Sequence, residues 1–440
     1  MITVTDYAEL QSYQKTVVAD NKAETVIASR RAYISQETLD WIVDKYQAPH
    51  CEETDQVPVL DEVRRNSFKL GAYVGYIQSP YNDEQIQILP KIELVDSQIE
   101  KSKTILKNML SEVHDIRPKE ISEADLEQTD LPLHEWIIQR FLEELEQLIH
   151  HGLKRDYELV QDEQPYLKGR LLVQQQINHG VGKDHLFAIE YDEFLFNGIE
   201  NRLIKTALIY ALEMTRNDHS IVIGHDFAEL MHDIPMCHDP VESLGQWREG
   251  KLFMQYEDIK PWCELILLNI NPSFQYGERR GMSLLFSMPQ LFEKYVAKKL
   301  QTQLKPGHRL KIQASQQTLV SHTPKNRVLQ NWFALEPDLA VYKGGDCQVI
   351  LDTKWKFIHQ EKANSSEKYG ISQADLYQMQ AYGNKYLGQK GQLVLIYPSH
   401  QKFTEHLPQF NYSEDLILFV VPFDLEKGFL IGKELIDVMI

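Results

Sequence analysis

One segment, residues 337–354, constrains this chain more than any other, because it predicts a β-hairpin. Two runs of β-forming residues flank the turn signal Gly344-Gly345-Asp346. If a three-residue loop centred on Gly345 closes the hairpin, residues equally distant from it face each other. Asp338 and Asp352 are such a pair. The sequence therefore predicts two carboxylates side by side, roughly 5 Å apart.

Lys354 lies two residues beyond Asp352, so both side chains share one face of the strand. Two close carboxylates repel each other unless a cation offsets their charge, and Mg2+ takes oxygen ligands. The carbonyl of Thr353 could add another oxygen, and Lys354 could orient or help to deprotonate a water that attacks phosphorus. A surface hairpin with solvated charges would show the same pattern. The opposite face is apolar and is predicted to pack against a core: Leu339, Val341, Val349 and Leu351.

The segment after the hairpin predicts a helix from Ser372 to Tyr386, with Ser372 as its N-cap. Gln378 and Tyr382 are four residues apart and lie on one helix face. An amphipathic helix carrying Glu293 and a strand at 309–314 are predicted before the hairpin. The predicted order is thus helix, three strands, helix and a last strand at 392–397.

This order resembles the PD-(D/E)xK nuclease fold, in its subgroup with a QxxxY helix. The chain also resembles the McrC family, the nuclease subunits of modification-dependent restriction systems, from about residue 70 to about residue 400. The resemblance implies an α/β (α+β multidomain) fold. A C-terminal nuclease domain with a central mixed sheet flanked by helices would follow a β-rich N-terminal region and a mainly helical middle region. The matching segments are 75–78, 86–92, 169–171, 191–193, 201–205 and 291–296.

The resemblance also implies roles for single residues. Asp338 and Asp352 would bind Mg2+, for which Mn2+ can substitute, and Lys354 would be catalytic. Glu293 would complete the metal shell, although an ordinary surface charge on a helix explains it equally well. The glutamine and tyrosine of the helix after the hairpin would contact the metal shell, the lysine or the substrate phosphate, unless they only form a polar helix face.

The net charge of −18 argues against a protein that simply coats DNA, yet one window is purely basic. Residues 294–327 contain eight Lys and Arg and no Asp or Glu, just before the strand of Asp338. This favours a surface for the phosphate backbone, although a solvated helix face and turn would look alike. The predicted DNA-contacting residues are Arg279, Arg280, Lys298, Lys299, Arg309, Lys311, Lys325 and Arg327.

Other sequence features predict a cytoplasmic protein without a membrane segment. The first residues lack the pattern of a signal peptide, and the apolar run at 416–422 is too short to span a bilayer. The four cysteines form no CxxC pair, which argues against a zinc ribbon or an iron–sulfur cluster. The segment around Gly182-Lys183 lacks the glycine five places before Gly182 and the hydroxyl residue after Lys183 that a nucleotide-binding loop requires.

The resemblance therefore implies a separate AAA+ GTPase motor, a McrB-like hexamer, as partner, together with methylated double-stranded DNA. The predicted function is that of a Mg2+-dependent endonuclease subunit whose motor it stimulates. A stand-alone RecB-like exonuclease and a non-enzymatic adaptor of a DNA-processing motor are the alternatives. The predicted regions are a β-rich motor-docking region at 1–125, a mainly helical domain at 126–260 and a nuclease domain at 261–440.

Overall fold

The computed structural model describes most of the chain, and it divides the protein into two compact units, residues 1–130 with 285–440 and residues 131–284. The described residues are 1–12, 29–46, 59–64, 67–81, 84–92, 99–114, 116, 131–178, 180, 182–183, 185–276, 279–325, 328–436 and 438. The mixed α and β content confirms the predicted multidomain α+β class. No helix in these ranges is both long and apolar enough to cross a bilayer.

The N-terminal part of the first unit is a twisted sheet with two helices, and its β-rich character agrees with the sequence prediction. Five strands follow the order β5-β6-β1-β4-β3, and β2 pairs with β1. A turn at Gly71, whose N–H donates a hydrogen bond to the carbonyl of Val59, separates β4 from β5. The elements are β1 Ile2–Ser12, β2 Ser29–Ile34, α1 Gln36–Tyr46, β3 Leu60–Arg64, β4 Ser67–Leu70, β5 Tyr73–Gln78, β6 Gln85–Leu89 and α2 Ile99–Val113.

The second unit is mainly helical, as predicted, and carries one small sheet of strand order β7-β9-β8. The helices predicted at 133–152 and 201–214 are both present. The sequence predicts a short hairpin or a strand insert at 166–177, and the structure has the insert: two residues pair with β9 and a short helix follows, while the main pairing joins β7 to β9. The elements are α3 Leu133–His151, β7 Asp156–Gln164, β8 Arg170–Leu171, α4 Val173–Ile177, β9 Phe187–Leu195, α5 Ile199–Met214, α6 Asp218–Leu230, α7 Pro240–Leu244, a 3-10 helix Lys251–Tyr256, α8 Lys260–Asn269, β10 Ile270–Tyr276 and β11 Arg279–Ser287.

The C-terminal part of the first unit is built on a mixed sheet of order β12-β15-β16-β17-β19-β18, with β20 beside β19. The pairs β16–β17 and β17–β19 are parallel and the others antiparallel, which confirms the predicted mixed sheet. The elements are α9 Met288–Gln301, β12 His308–Ile312, β13 Gln317–His322, β14 Gln330–Leu335, β15 Leu339–Lys343, β16 Asp346–Thr353, a 3-10 helix Lys368–Gly370, α10 Gln373–Tyr386, β17 Gly391–Pro398, β18 Phe410–Asn411, β19 Leu416–Asp424, β20 Phe429–Leu430 and a 3-10 helix Lys433–Leu435.

The β15–β16 hairpin has the predicted register but a different turn. Lys343 pairs with Asp346, so the turn contains only Gly344 and Gly345, both with positive φ, as a two-residue hairpin turn requires. An irregularity between Val341 and Tyr342 then shifts the pairing by one residue. Leu339 therefore pairs with Leu351, as the predicted three-residue loop requires. A bulge thus compensates for the shorter turn.

Both faces of this hairpin are buried. The four apolar side chains predicted to face a core are inaccessible to solvent, and α9 and α10 both pack against β16. On the other face, Ala340 and Ile350 join a core that includes Met379 and Tyr382 of α10. Because Asp338 and Asp352 project on that second face by strand alternation, the carboxylates lie at the margin of an apolar layer.

A buried aspartate in β1 binds the residue that follows Lys354. Asp6 is 1% exposed, and its Oδ2 accepts a hydrogen bond from the indole N–H of Trp355 at 2.8 Å. Its Oδ1 accepts the backbone N–H of Lys91 at 2.6 Å. The indole packs edge-on against Phe292 of α9, with ring centroids 5.4 Å apart. One carboxylate therefore joins the N-terminal sheet to the chain segment directly after the Asp352 strand.

We predict that Asp6→Ala lowers the free energy of unfolding by at least about 2 kcal/mol, because two buried donors lose their acceptor. Burial raises the pKa of Asp6 to about 6, above its value in an unfolded chain. The stabilising contribution of this raised pKa is present at low pH and is lost as pH rises through about 6. Urea denaturation should therefore show a loss about 1 kcal/mol larger at pH 5 than at pH 7.

Asp40→Ala, which removes an exposed carboxylate of α1, is the matched control and should change stability little at either pH. An effect of Asp6→Ala that is equal at both pH values, or larger at pH 7, would contradict the account of Asp6.

Candidate active site

The two predicted carboxylates lie on neighbouring strands, at the end of the hairpin away from its turn. Asp338 immediately precedes β15, and its Oδ2 accepts hydrogen bonds from the backbone N–H and the hydroxyl of Thr353, at 2.7 and 2.6 Å. Asp352 is 1% exposed, and its Oδ2 lies 2.6 Å from the ammonium of Lys354. Apart from that ammonium, no described group donates a hydrogen bond to the carboxylate of Asp352.

The electrostatics show how poorly these buried charges are compensated. Burial, reinforced by the charge of Asp338, raises the pKa of Asp352 to about 7, although Lys354 opposes the shift. Burial and the same Asp338 charge raise the pKa of Glu293 on α9 to about 7. Three carboxyl groups thus influence one another at one edge of the sheet. A proton or a cation is needed before all three can be accommodated.

Lys354 is held as an ammonium. Burial lowers its pKa, but the charges of Asp352 and Asp338 outweigh this, and the net shift is upward. Its Nζ also donates a hydrogen bond to Oε1 of Gln378 at 3.1 Å. A lysine with a raised pKa remains protonated near neutral pH. As an ammonium it can donate hydrogen bonds and offset negative charge.

Helix α10 connects Lys354 to the segment that precedes Asp338. Ser372 caps this helix, as predicted, by accepting the N–H of Asp375. Gln378 donates from its amide to the hydroxyl of Tyr382 at 2.8 Å, and that hydroxyl donates to the carbonyl of Glu336 at 3.1 Å. Burial raises the pKa of Tyr382, which keeps its hydroxyl protonated. Gln378 thus contacts Lys354, the ion-pair partner of Asp352, and Tyr382 contacts the backbone two residues before Asp338.

Glu293 reaches the same edge from α9. Gln313, at the end of β12, donates to Oε1 of Glu293 at 3.2 Å, and its backbone N–H donates to the carbonyl of Asp338 at 2.8 Å. Gln313 has a φ of 46°, an uncommon backbone conformation for a residue with a side chain. This strained residue bridges Glu293 and the Asp338 backbone, so the structure brings every predicted catalytic and metal-binding residue to one place.

Only oxygen donors are available to a cation at this edge. Among the residues that the structure describes, no group of three or more His, Cys, Asp or Glu has an arrangement that could hold a metal ion. The oxygen atoms at this edge belong to the carboxylates of Asp338 and Asp352 and to the Thr353 carbonyl, so a cation there would rely on two carboxylates rather than three. Both carboxylate oxygens of Asp352 lack a hydrogen-bonding neighbour other than Lys354, so they are the atoms best placed to accept a ligand.

Some side chains around the site were not foreseen as part of it. Asp375 is buried and pairs with Lys356 at 3.2 Å. Burial and the charges of Asp375 and Asp352 raise the pKa of Tyr397 on β17. The three- and four-residue spacings place Asp375 on the helix face of Gln378 and Tyr382, although Asp375 is not among the predicted site residues. Trp355 and Asp6 carried no signal at all.

The predicted DNA-contacting residues are spread over several elements. Arg309 and Lys311 of β12 pair with Tyr342 and Ala340 and line a groove of about 560 Å³ beside the hairpin turn. Lys299 of α9 forms an ion pair with Glu112 of α2 at 2.7 Å. Lys298 is in the last turn of α9, and Lys325 lies between β13 and β14. Arg327 and the side chains of Arg279 and Arg280 lie outside the described residues.

We predict that, in chelator-treated protein, Asp352→Asn raises the melting temperature, because it removes a buried charge that faces Asp338. Lys354→Met should lower it, because the same carboxylate then loses its ammonium. A change of 1 kcal/mol corresponds to about 2–4 °C for domains of this size. Differential scanning calorimetry measures both shifts.

Lys362→Met is the control, since the ion pair of Lys362 with Glu367 is on the surface and contributes little. If Asp352→Asn lowers the melting temperature as much as Lys354→Met, the charge of Asp352 does not destabilise the metal-free fold, and the account is contradicted.

The fold and the site define a multidomain α+β protein in which a mixed sheet carries an acidic pair and a lysine at one edge. The family comparison is more specific. The chain belongs to the McrBC 5-methylcytosine restriction system components, whose family model matches residues 68–398. The family predicted from the sequence is therefore confirmed.

Solved structures from Thermococcus gammatolerans are similar to this chain. The first is a half-complex from a tetradecameric assembly of McrB AAA+ hexamers with bound McrC, at 19% identity, 97% coverage of this chain, 95% of that chain and a TM-score of 0.59. It shows a shared fold. The second is the McrBC complex, at 20% identity, 68% and 86% coverage and a TM-score of 0.45. No curated protein matches the chain.

Proposed function

We propose that this chain is the McrC-type nuclease subunit of a modification-dependent restriction complex and cuts both strands of DNA endonucleolytically. The observation that carries the proposal is the buried Asp352 carboxylate, which faces Asp338 and has only Lys354 beside it. Membership of the McrBC restriction family supports the same conclusion. Such a group does not stabilise a folded core, and a buried, poorly compensated carboxylate is typical of a catalytic site.

Asp338, Asp352 and the Thr353 carbonyl would hold Mg2+, or Mn2+ in its place, with Glu293 completing the set. All of these donors are hard oxygens, which such ions prefer. A bound Mg2+ would supply Lewis-acid stabilisation of the phosphate and would make water more acidic. The raised pKa values of Asp352 and Glu293 fit this role, since both groups would lose their protons to a cation.

Lys354 orients the reaction by donating hydrogen bonds. Its ammonium lies between Asp352 and Gln378, where it offsets negative charge that develops on the phosphate and directs the attacking water. In the metal-free site the charges of Asp352 and Asp338 raise the pKa of Lys354, which favours this hydrogen-bonding role. The sequence allows Lys354 either to orient the attacking water or to help deprotonate it. The raised pKa of Lys354 favours orientation.

Gln378 and Tyr382 act as positioning residues. Gln378 fixes the direction of the Lys354 side chain, and Tyr382 fixes the backbone of Glu336, two residues before Asp338. Rigid support of this kind keeps a site within the narrow geometry that catalysis needs. Loss of either contact would loosen the lysine and the first carboxylate relative to each other.

A separate AAA+ motor would drive the cutting. The similar assembly from Thermococcus gammatolerans contains McrB AAA+ hexamers with bound McrC, which supports such a partner for this chain. The motor would hydrolyse GTP, this chain would stimulate that hydrolysis, and residues 1–125 would form the docking region. Recognition of the methylated base would belong to the motor, and the complex would act in the cytoplasm.

We predict that Asp352→Asn and Lys354→Ala reduce cutting of methylated plasmid by the assembled complex by roughly 10²-fold or more, whereas Gln378→Ala reduces it less. The physical reason is that the first two variants remove charges at the reacting phosphate, and the third removes only support. Gel analysis of nicked and linear products at fixed Mg2+ and GTP measures the rates. Motor GTPase activity is measured in parallel and should stay near the wild-type value.

Lys362→Ala, which removes an exposed lysine of the same unit, is the matched control and should cut normally. Full activity of the Asp352→Asn and Lys354→Ala complexes would show that the chain is a non-enzymatic adaptor. Degradation of linear DNA by the purified chain, without motor or nucleotide, would instead identify a RecB-like exonuclease.

A further inference from the structure

Strands β13 and β14 form a two-stranded sheet of their own, here called the β13–β14 ribbon (residues 317–325 and 328–335). The strands pair from Gln317 with Leu335 to His322 with Gln330. Nearly every described side chain in the ribbon is exposed. An isolated two-stranded ribbon is marginally stable in water, so an exposed one with apolar side chains favours a binding role.

The side chains of the β13–β14 ribbon suit nucleic acid better than protein. Phe333 is 69% exposed, and Trp332 packs against His322 with ring centroids 4.6 Å apart. The other polar residues of the two strands are uncharged amides and hydroxyls, which are hydrogen-bonding groups for base edges: Gln317, Thr318, Ser321, Gln330 and Asn331.

The charge of the ribbon has one sign. No Asp or Glu occurs between Glu293 and Glu336, although the whole chain has a net charge of −18. Lys325, in the segment that joins the two strands, forms no ion pair within the described part of the chain. Arg309 and Lys311, on the neighbouring strand β12, likewise have no carboxylate partner in that part. A polyanion is therefore the complementary partner.

The base of the ribbon is fixed beside the candidate active site. The hydroxyl of Tyr386 on α10 lies 2.7 Å from the carbonyl of Leu335 and also contacts the carbonyl of Ala314, so it ties both ends together. Only two residues, Glu336 and Pro337, separate Leu335 from Asp338. Phe333, close to this base, has a φ of 60°, a conformation that is costly for an aromatic residue and that is found mainly at functional sites.

We propose that the β13–β14 ribbon enters a groove of duplex DNA and presents the phosphodiester to the carboxylate pair. The major groove of B-DNA admits a two-stranded β-ribbon, and a cation at the ribbon end contacts phosphates. The inference rests on the proposed nuclease function and names the element that holds its substrate. The exposed aromatic and aliphatic side chains pack against bases or sugar, and Lys325 contacts the backbone.

The experiment measures binding of the full-length chain to a fluorescein-labelled duplex by fluorescence anisotropy at several salt concentrations. All proteins carry Asp352→Asn so that the duplex stays intact. Lys325→Glu should weaken binding roughly tenfold and lower the salt slope by about one. Phe333→Gly should weaken it roughly fivefold, and it leaves the backbone relaxed because glycine accepts positive φ.

Lys390→Glu is the matched control. It makes the same charge change on an exposed lysine just before β17, at the end of the sheet away from Asp338. Its affinity should stay within about twofold of the parent protein. Melting curves confirm that each variant is folded, and Leu329→Ser, another exposed position, provides a second apolar test.

The outcomes separate this inference from the proposed function. Weakened DNA binding in the ribbon variants, with slower cutting when Asp352 is restored in the assembled complex, supports it. If the parent binds DNA and the wild-type complex cuts it, but the ribbon variants match the control, the ribbon inference fails and the nuclease function stands. Unchanged DNA affinity with an altered mass in light scattering would assign the ribbon to contact between copies of the chain. If the wild-type complex neither binds nor cuts DNA, the proposed function itself fails.

Discussion

Repulsion between two carboxylates at one edge of a buried sheet is the constraint on which the rest of this structure depends. Asp352 is almost inaccessible to solvent and faces Asp338, and only Lys354 offsets their charge. The repulsion that Lys354 does not offset persists because side chains pack against both faces of the hairpin and hold the two carboxylates in place. A cation that binds there would relieve this strain, so the instability of the free site and its affinity for a metal have the same origin.

Several elements keep the carboxylates in place despite their repulsion. Helix α10 bonds to the Lys354 side chain and to the backbone before Asp338, and Gln313 bridges Glu293 and the Asp338 backbone. On the far side, Asp6 of the N-terminal sheet binds Trp355, whose ring also packs against α9. The edge of the sheet is thus held by three separate parts of the chain.

The local features of the site could be predicted from the sequence, because short-range patterns determine them. Strand alternation and the two glycines gave the hairpin register, and the Ser372 cap gave the start of α10. The bond between Asp6 and Trp355 joins residues that are far apart in the chain, and no local pattern encodes it. The β13–β14 ribbon was missed because its residues are neither periodic nor apolar enough to indicate strands. The sequence shows the positive charge of this segment but not its two paired strands.

The most direct test of the central claim is anomalous diffraction at the manganese edge from crystals of the chain soaked in Mn2+. The account predicts one strong peak at about 2.1 Å from carboxylate oxygens of both Asp338 and Asp352, with the Lys354 ammonium displaced from Oδ2 but still near. No peak at this edge of the sheet at saturating Mn2+, with the two carboxylates unmoved and the Lys354 ion pair intact, would contradict it.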